Sequence, residues 1–383
     1  MSTPHHRRLA RRAANKQAAL SEESTAPVSA QRHRERHLTD AASSEAAFQH
    51  NTWDDVEWDA ADLAAAERLV ASQTPASDAA AAECTLHATR LWDSHYEANP
   101  RNYKDRRYLH NEFPQLLETR CGGGETTVLE IGCGAGNSLL PMLQANPAAR
   151  GLACDLAPSA VELVRQRLLR EGLTHRASAF VWDVACPPPA GALPVGGVDL
   201  ILAVFTLSAL SPEALPAALA QLHACLRPGG RLLLRDYGRL DLKHLKFAAV
   251  AGSRLPCGGG WDWHARGDGT TALFFTPELL APLLDRAGFR VHEMRYDRRL
   301  AVNRATRERM YRVWLVAVLS KPAESPVAGE ETVASPPPAP RCASRGPGRG
   351  WTRGDKPSAG KWALAVAISA VAAVLVLRRR RLS

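Results

Sequence analysis

The sequence predicts an α/β fold: a doubly wound, mostly parallel sheet of seven strands covered by helices on both faces. Two observations predict it. Short apolar runs alternate with helical stretches from about residue 128 to residue 320, as strand–helix–strand crossovers require. The first run, Val128 to Ile131, breaks into Gly132-Cys133-Gly134-Ala135-Gly136-Asn137, after which Ser138-Leu139-Leu140-Pro141-Met142-Leu143 opens a helix. A strand, a tight glycine turn and a helix in that order form a nucleoside-binding arrangement, because glycines bend with positive φ and let a ligand reach the main chain.

The remaining strands follow in order. The second is Gly151–Cys154, ending at Asp155, and Pro158 introduces the helix Ser159–Arg170. The third is Ala179–Trp182, ending at Asp183, before the loop that begins Cys186-Pro187-Pro188-Pro189. The fourth, Val198–Phe205, is continuously apolar and suits a strand buried on both faces. A helix over Pro212–Cys225 stops at Arg227-Pro228-Gly229-Gly230, and Arg231–Arg235 is the fifth strand. A long insertion containing Gly258-Gly259-Gly260 precedes a helix at Pro277–Ala287, a strand near Phe289–Met294 and a last strand at Tyr311–Leu319.

Composition divides the chain further. The net charge of +9 is carried by the tails: residues 1–40 contribute +4 and residues 321–383 contribute +7, leaving −2 for the 280 residues between them. Nucleic acid would therefore have to be bound by local basic patches rather than by overall charge. Residues 1–47 read as a disordered basic arm, 48–120 as a helical extension, 121–320 as the α/β domain and 321–361 as a Pro/Gly-rich unfolded linker. Residues 362–377 carry no charge and are followed by Arg378-Arg379-Arg380-Arg381 in a basic tail, 378–383. As a helix of about 24 Å, 362–377 falls somewhat short of a roughly 30 Å hydrocarbon core, and flanking cations reaching for headgroups cover the deficit. The expectation is a tail anchor in an organelle membrane, with the folded domain facing the cytosol. Eight scattered cysteines, none in a CxxC pair, argue against zinc and for a reducing compartment.

In the extension, Asn51-Thr52-Trp53-Asp54-Asp55-Val56-Glu57-Trp58 precedes a helix from Ala60 to about Ser72, and its tryptophans read as pins holding that helix to the domain. Trp92 and Tyr96, four residues apart, share one helix face. Lys104, Arg106 and Arg107 lie between Tyr103 and Tyr108, a pattern that a solvated surface shares with a phosphate-binding one.

The glycine spacing narrows the ligand. A dinucleotide fingerprint, Gly-x-Gly-x-x-Gly, would place its last glycine where this chain has Asn137. The pattern here is Gly132-x-Gly134-x-Gly136, preceded by Glu130. S-adenosylmethionine has no pyrophosphate but does have a ribose diol, for which Asp155 is placed; Asp183 is placed for the adenine amino group, and Val184 and Val204 for the apolar walls.

With these residues assembled, the chain resembles the eukaryotic tRNA 3-methylcytidine methyltransferases, a class I methyltransferase-like family acting on cytidine 32 of the anticodon loop. The similarity runs from about Asn51 to Pro322. Among the motifs that carry it are Trp92-Asp93-x-x-Tyr96, Lys104-Asp105-Arg106, Arg235-Asp236-Tyr237-Gly238, Arg266-Gly267-Asp268-Gly269-Thr270 and Met310-Tyr311-Arg312-Val313-Trp314. The resemblance implies S-adenosylmethionine as cofactor, held by Trp92, Tyr96, Gly132, Asp155, Asp183, Val184 and Val204, with Trp92 and Tyr96 on a helical lid. It also makes the extension an RNA-binding element. The aromatic residue usual two positions before the arginine of Arg-Gly-Asp-Gly-Thr is His264 here.

On that reading Asp236 meets the cation or exocyclic amine of the methylated base, with Arg235 and Tyr237 shaping its pocket together with Arg266. A structural ion pair is the competing role for Arg235 and Asp236. Phosphate contacts fall to Lys104, Arg106, Arg107, Arg298, Arg299 and Arg304, and no metal is required. The partners expected are tRNA, an aminoacyl-tRNA synthetase or adaptor protein, and a membrane. The alternatives are a membrane-held lipid or quinone methyltransferase and a catalytically silent RNA-binding scaffold.

Overall fold

A computed structural model of the chain describes residues 45–100, 103–120 and 124–323. The strands are β1 (Thr52–Asp54), β2 (Thr126–Ile131), β3 (Ala149–Asp155), β4 (Ala177–Val181), β5 (Val198–Val204), β6 (Leu226–Tyr237), β7 (Asp262–Ala265), β8 (Thr271–Phe274), β9 (Arg290–Asn303) and β10 (Glu308–Ser320). The helices are α1 (Ala60–Ala71), α2 (Asp78–Leu86), α3 (Ala88–Ala98), α4 (Leu109–Glu112), α5 (Leu139–Ala145), α6 (Pro158–Arg170), α7 (Leu215–Cys225), α8 (Leu242–Ala248) and α9 (Pro277–Arg286).

The main sheet runs β1-β9-β10-β6-β5-β2-β3-β4. Strands β2 to β6 pair in parallel, whereas β10, β9 and β1 join them antiparallel. Every residue of β5 is buried, which explains its uninterrupted apolar sequence. Alternation in the central strands sends Leu129 and Ile131 to the face covered by α7 and α9, and Val128 to the face covered by α5 and α6.

The sheet thus has eight strands rather than the expected seven. The extra one is β1, where Trp53 pairs with Leu300 at the sheet edge. Of the two expected tryptophan pins, only Trp58 acts in that way, stacking on Tyr311 of β10 with ring centroids 4.1 Å apart. Trp53 is itself part of the strand, and its Nε1 donates to Ala47 O at 2.8 Å. The insertion after β6 also folds, into α8 and the separate hairpin β7–β8.

Trp314 of β10 lies opposite Tyr237, the last residue of β6, so the β9–β10 ribbon continues past the carboxyl end of the parallel strands. One face of this junction carries a buried ionic network. Arg235 is enclosed between Glu112 and Asp297, the latter at 2.7 Å, with its guanidinium 4.5 Å from the Trp314 ring. Arg299 contacts Asp297 at 3.2 Å and Asp54 at 3.4 Å. Burial pushes Glu112 up in spite of Arg235, whereas at Asp297 the two arginines outweigh burial and hold the carboxyl below its usual range.

The basic arm up to residue 44, the linker beyond Ala323, the 362–377 segment and the basic tail lie outside the described residues. Among the described residues no helix is long and apolar enough to cross a membrane.

Removing Arg235 would leave two carboxylates buried without their shared cation. Arg235→Met should cost about 3–5 kcal/mol of stability in urea unfolding, and a loss below about 1 kcal/mol would show that the network is incidental.

Candidate active site

The turn between β2 and α5 takes the form its glycines permit. Gly132, Gly134 and Gly136 have φ of 56°, 50° and 74°, values that side-chain-bearing residues rarely adopt. Asp155, the last residue of β3, reaches under the turn: its Oδ2 accepts from Gly134 N at 2.9 Å and its Oδ1 from Ala157 N at 3.0 Å. Glu130 is likewise buried and accepts from Leu139 N at 2.9 Å, at the start of α5. Burial raises Glu130 to about 7 and Asp155 to about 6.

A second layer holds the turn from the extension. Asn137 Nδ2 donates to Tyr103 O and to Asp105 Oδ1, while Arg106 N donates to Asn137 O at 2.7 Å. Arg167 of α6 bridges Asp105 and Ala135 O. Arg106 itself reaches Ser138 Oγ at 3.0 Å and lies over the rings of Tyr103 and Phe205. It is thereby committed to the turn rather than to an outer phosphate surface, which corrects the role expected for it.

Helix α3 lies across the turn. Tyr96 is buried, and a Cβ built on Gly134 would come within 2.7 Å of its hydroxyl, so only glycine lets this ring settle there. Trp92 sits beside Tyr96 at 6.2 Å between centroids. The helix is tied to the start of α6 by Asp93, which accepts from Ser159 N at 2.8 Å. Of the two expected lid residues, Tyr96 thus rests on Gly134, and Trp92 lies beside it on the same helix. Asp183 is exposed just past β4, where its Oδ1 accepts from Ala185 N; Val184 and Val204 are buried.

Phe205 directly follows β5 with φ of 58°, a strained value for an aromatic residue and one that marks functional sites. Its ring lies 4.8 Å from that of Tyr237, which is 5.7 Å from Phe274. Arg266 stands 5.5 Å from the Trp92 ring. Arg266 therefore borders the lid, and Tyr237 sits between Phe205 and Phe274 at the end of β6.

The expected roles of Arg235 and Asp236 need correction. Consecutive strand residues point to opposite faces. Arg235 enters the ionic network with Glu112 and Asp297, and Asp236 turns the other way into full burial. Asp236 Oδ2 accepts from Ser208 N at 3.0 Å and Oδ1 from Tyr237 N at 2.8 Å, so the carboxylate fixes the loop after β5 from beneath. Burial raises it to about 6. The two do not pair with each other, so the competing reading of one shared ion pair fails as well; Arg235 alone is a structural ion-pair residue.

Of the expected phosphate ligands, Lys104, Arg107 and Arg304 are exposed. Arg298 lies over the Tyr296 ring at 5.1 Å and lines a cavity of about 360 Å³ with Trp58 and Arg239. Arg299 faces the other side of the same strand, where Asp297 and Asp54 hold it in the ionic network.

His244, Asp262 and His264 meet within the buried insertion, with ligand atoms inside 4.8 Å of one another. Their hydrogen bonds oppose a cation. Leu240 N donates to His244 Nδ1 at 3.1 Å, so Nε2 carries the ring proton. Asp262 is engaged by Arg239 at 3.0 Å, with Arg254 at 3.8 Å. Burial drives both imidazoles well below their usual range, and they pack as neutral rings against Phe274.

Sequence reasoning missed Phe205, Asn137, Ser138, Arg167 and Glu112 as parts of the site or its support. Asn137 was legible as the residue replacing a third fingerprint glycine; the others show only in three dimensions.

The site also fits the cofactor that the spacing suggests. Asp155 is a buried carboxylate that accepts from backbone N–H groups and has no ion-pair partner among the described residues, so it retains acceptor capacity for the O–H donors of a ribose. Fold and site together define a class I S-adenosylmethionine-dependent methyltransferase, and a family model described as a methyltransferase domain matches residues 129–232. The tRNA N(3)-methylcytidine methyltransferase trm140 of Schizosaccharomyces pombe is 36% identical over 281 residues, covering 72% of this chain and 89% of that protein. The tRNA N(3)-methylcytidine methyltransferase Mettl2 of Drosophila melanogaster is 34% identical over 295 residues, covering 75% and 87%. The tRNA(Thr) (cytosine(32)-N(3))-methyltransferase of Saccharomyces cerevisiae is 39% identical over 241 residues, which are 61% of this chain but 37% of that longer protein. The chain belongs to the tRNA N(3)-cytidine methyltransferase family.

A diol needs Asp155 ionised. Its raised folded value means that the protonated form is favoured below about pH 6 and the ionised form above it. Affinity for S-adenosylhomocysteine in calorimetry should therefore fall by up to about tenfold per pH unit below that point. In Asp155→Asn it should be weak and flat across the same range; a sloping profile in that variant would implicate another group.

Proposed function

We propose that the protein transfers a methyl group from S-adenosylmethionine to N3 of a cytidine in the tRNA anticodon loop, at cytidine 32. The observation that carries this reading is relatedness across nearly the whole length of two tRNA N(3)-methylcytidine methyltransferases, joined to an intact glycine turn, diol acceptor and lid.

S-adenosylmethionine, when bound, supplies an electrophilic methyl group on a sulfonium centre. Gly132, Gly134, Asp155, Asp183, Val184, Val204, Trp92 and Tyr96 would hold it. Cytosine N3 carries a lone pair and no proton, so no side chain has to act as a strong general base. The chain has instead to hold the base edge in line, exclude water and accommodate the positive charge that the base acquires. Tyr237, wedged between Phe205 and Phe274, offers an aromatic face for that charge. Burial keeps its hydroxyl protonated, so it remains a hydrogen-bond donor. Arg266 suits an acceptor such as the base carbonyl or a phosphate. Asp236 supports this pocket by holding Ser208 and Tyr237 in place.

Pairing hides N3, which favours a loop cytidine turned outward. Among the described residues, Lys104 and Arg107 beside the turn, and Arg298 and Arg304 on the ribbon, are the cations that would meet the phosphates around it. Purified protein and tritiated S-adenosylmethionine should label total tRNA, and nucleoside analysis should identify the product as 3-methylcytidine. Label confined to a lipid extract would overturn the assignment, and labelling that required added synthetase or another protein would identify an obligatory partner.

The same reading makes residues 362–377 a tail anchor holding the domain on the cytosolic face of an organelle membrane. The support is sixteen uncharged residues between Lys361 and four arginines. Deleting 361–383 should move the protein from the membrane to the soluble fraction without loss of methylation in vitro; persistent membrane association of the truncated chain would refute the anchor.

A further inference from the structure

The turn after β7, Arg266-Gly267-Asp268-Gly269-Thr270, meets the lid through three separate contacts. The turn is closed on itself: Arg266 N donates to Thr270 O at 2.7 Å and Gly269 N to Arg266 O at 2.9 Å. Asp268 Oδ1 accepts from Thr270 N at 3.1 Å and from Thr270 Oγ1 at 2.6 Å. The other oxygen, Oδ2, meets His95 Nδ1 of α3 at 2.8 Å. Arg266 lies against Trp92, and a Cβ on Gly269, whose φ is 82°, would sit 2.9 Å from Leu91 Cδ2. Leu91, Trp92 and His95 form one stripe of α3.

On another side, α3 is already fastened to α6 through Asp93 and Ser159. The helix therefore spans the mouth of the site, from the element that follows Asp155 to the turn that carries Arg266. Tyr96, one residue past His95, rests on Gly134.

We propose that the 266–270 turn is a latch that keeps α3 closed over the cofactor, with Asp268 and His95 as positioning residues, and that it couples cofactor retention to the acceptor through Arg266. Asp268 is held as a carboxylate because hydrogen bonds from His95 and Thr270 and the charge of Arg266 outweigh its burial, so it accepts firmly from the His95 N–H. An acceptor that draws on Arg266 acts on the turn that holds His95, so a filled acceptor pocket tightens the lid. The coupling half rests on the acceptor reading above; the latch itself does not.

The test is a double-mutant cycle read in S-adenosylhomocysteine affinity by calorimetry on the whole chain. His95→Leu and Asp268→Asn should each weaken binding about tenfold, as loss of one hydrogen bond to a charged group implies. The double variant should be no weaker than either single one. His95→Asn, which puts an amide donor where Nδ1 stood, should retain most of the affinity, and circular dichroism of the cofactor-free variants at the assay temperature should remain that of the folded chain. Wild-type affinity in both single variants, or a double variant weakened by the product of the two effects, overturns the latch.

The acceptor arm repeats the titration with an anticodon stem-loop RNA. The RNA should tighten cofactor binding several-fold in the unaltered protein and not in Asp268→Asn. An RNA that is methylated yet leaves cofactor affinity unchanged overturns the coupling. An RNA neither bound nor methylated overturns the acceptor reading, and the cofactor titrations then judge the latch alone.

Discussion

The contact between Asp155 and the glycine turn is the constraint on which the rest depends. A carboxylate at the end of β3 is buried with no ion pair among the described residues and is held by backbone N–H groups, chiefly those of Gly134 and Ala157. The Gly134 donor points at it because the glycines of the turn take up positive φ, and the Ala157 donor because the chain turns from β3 into α6. The arrangement holds the turn open to a ligand and leaves the carboxylate short of donors, a deficit that a bound diol relieves. Around it Asp105 of the extension, Arg167 of α6 and Tyr96 of α3 brace the turn at Asn137, Ala135 and Gly134, so the amino-terminal segment packs directly against the binding turn.

Buried charge elsewhere in the molecule serves geometry. Arg235, Glu112, Asp297 and Arg299 join α4, β6 and the ribbon at the edge of the acceptor region. Such groups are costly to bury and more costly to leave unpaired, which fixes the ribbon in one register against β6. That register places Trp314 opposite Tyr237 at the end of β6. The insertion contributes differently: its neutral histidine pair packs on Phe274, whose ring in turn backs Tyr237.

The family's acceptor chemistry asks little proton transfer of the protein. Its demands are orientation and dryness, and the residues at the mouth answer them: an aromatic pair at Phe205 and Tyr237, a cation at Arg266, and a helix that closes. Linking the last two through one short turn gives the enzyme a means of sensing both substrates with a single element.

The sequence by itself determined the parallel core, the glycine turn and the cofactor class, because each is written in local spacing: a strand period and a glycine pattern; two aromatics four apart suit core packing equally, and the lid reading of Trp92 and Tyr96 came from the family resemblance. It also carried the family's motifs. Only the tertiary structure decided what those motifs do. Arg235 and Asp236 are neighbours in the chain but face opposite sides of β6, one into an ion network and the other into the protein beneath the loop. Arg298 and Arg299 divide in the same way, and Arg106 turns inward to Ser138. Strand alternation gives parity from sequence, but which face meets solvent, ligand or core depends on partners far along the chain, such as Glu112, Ser208 and Asp54, that no local pattern names.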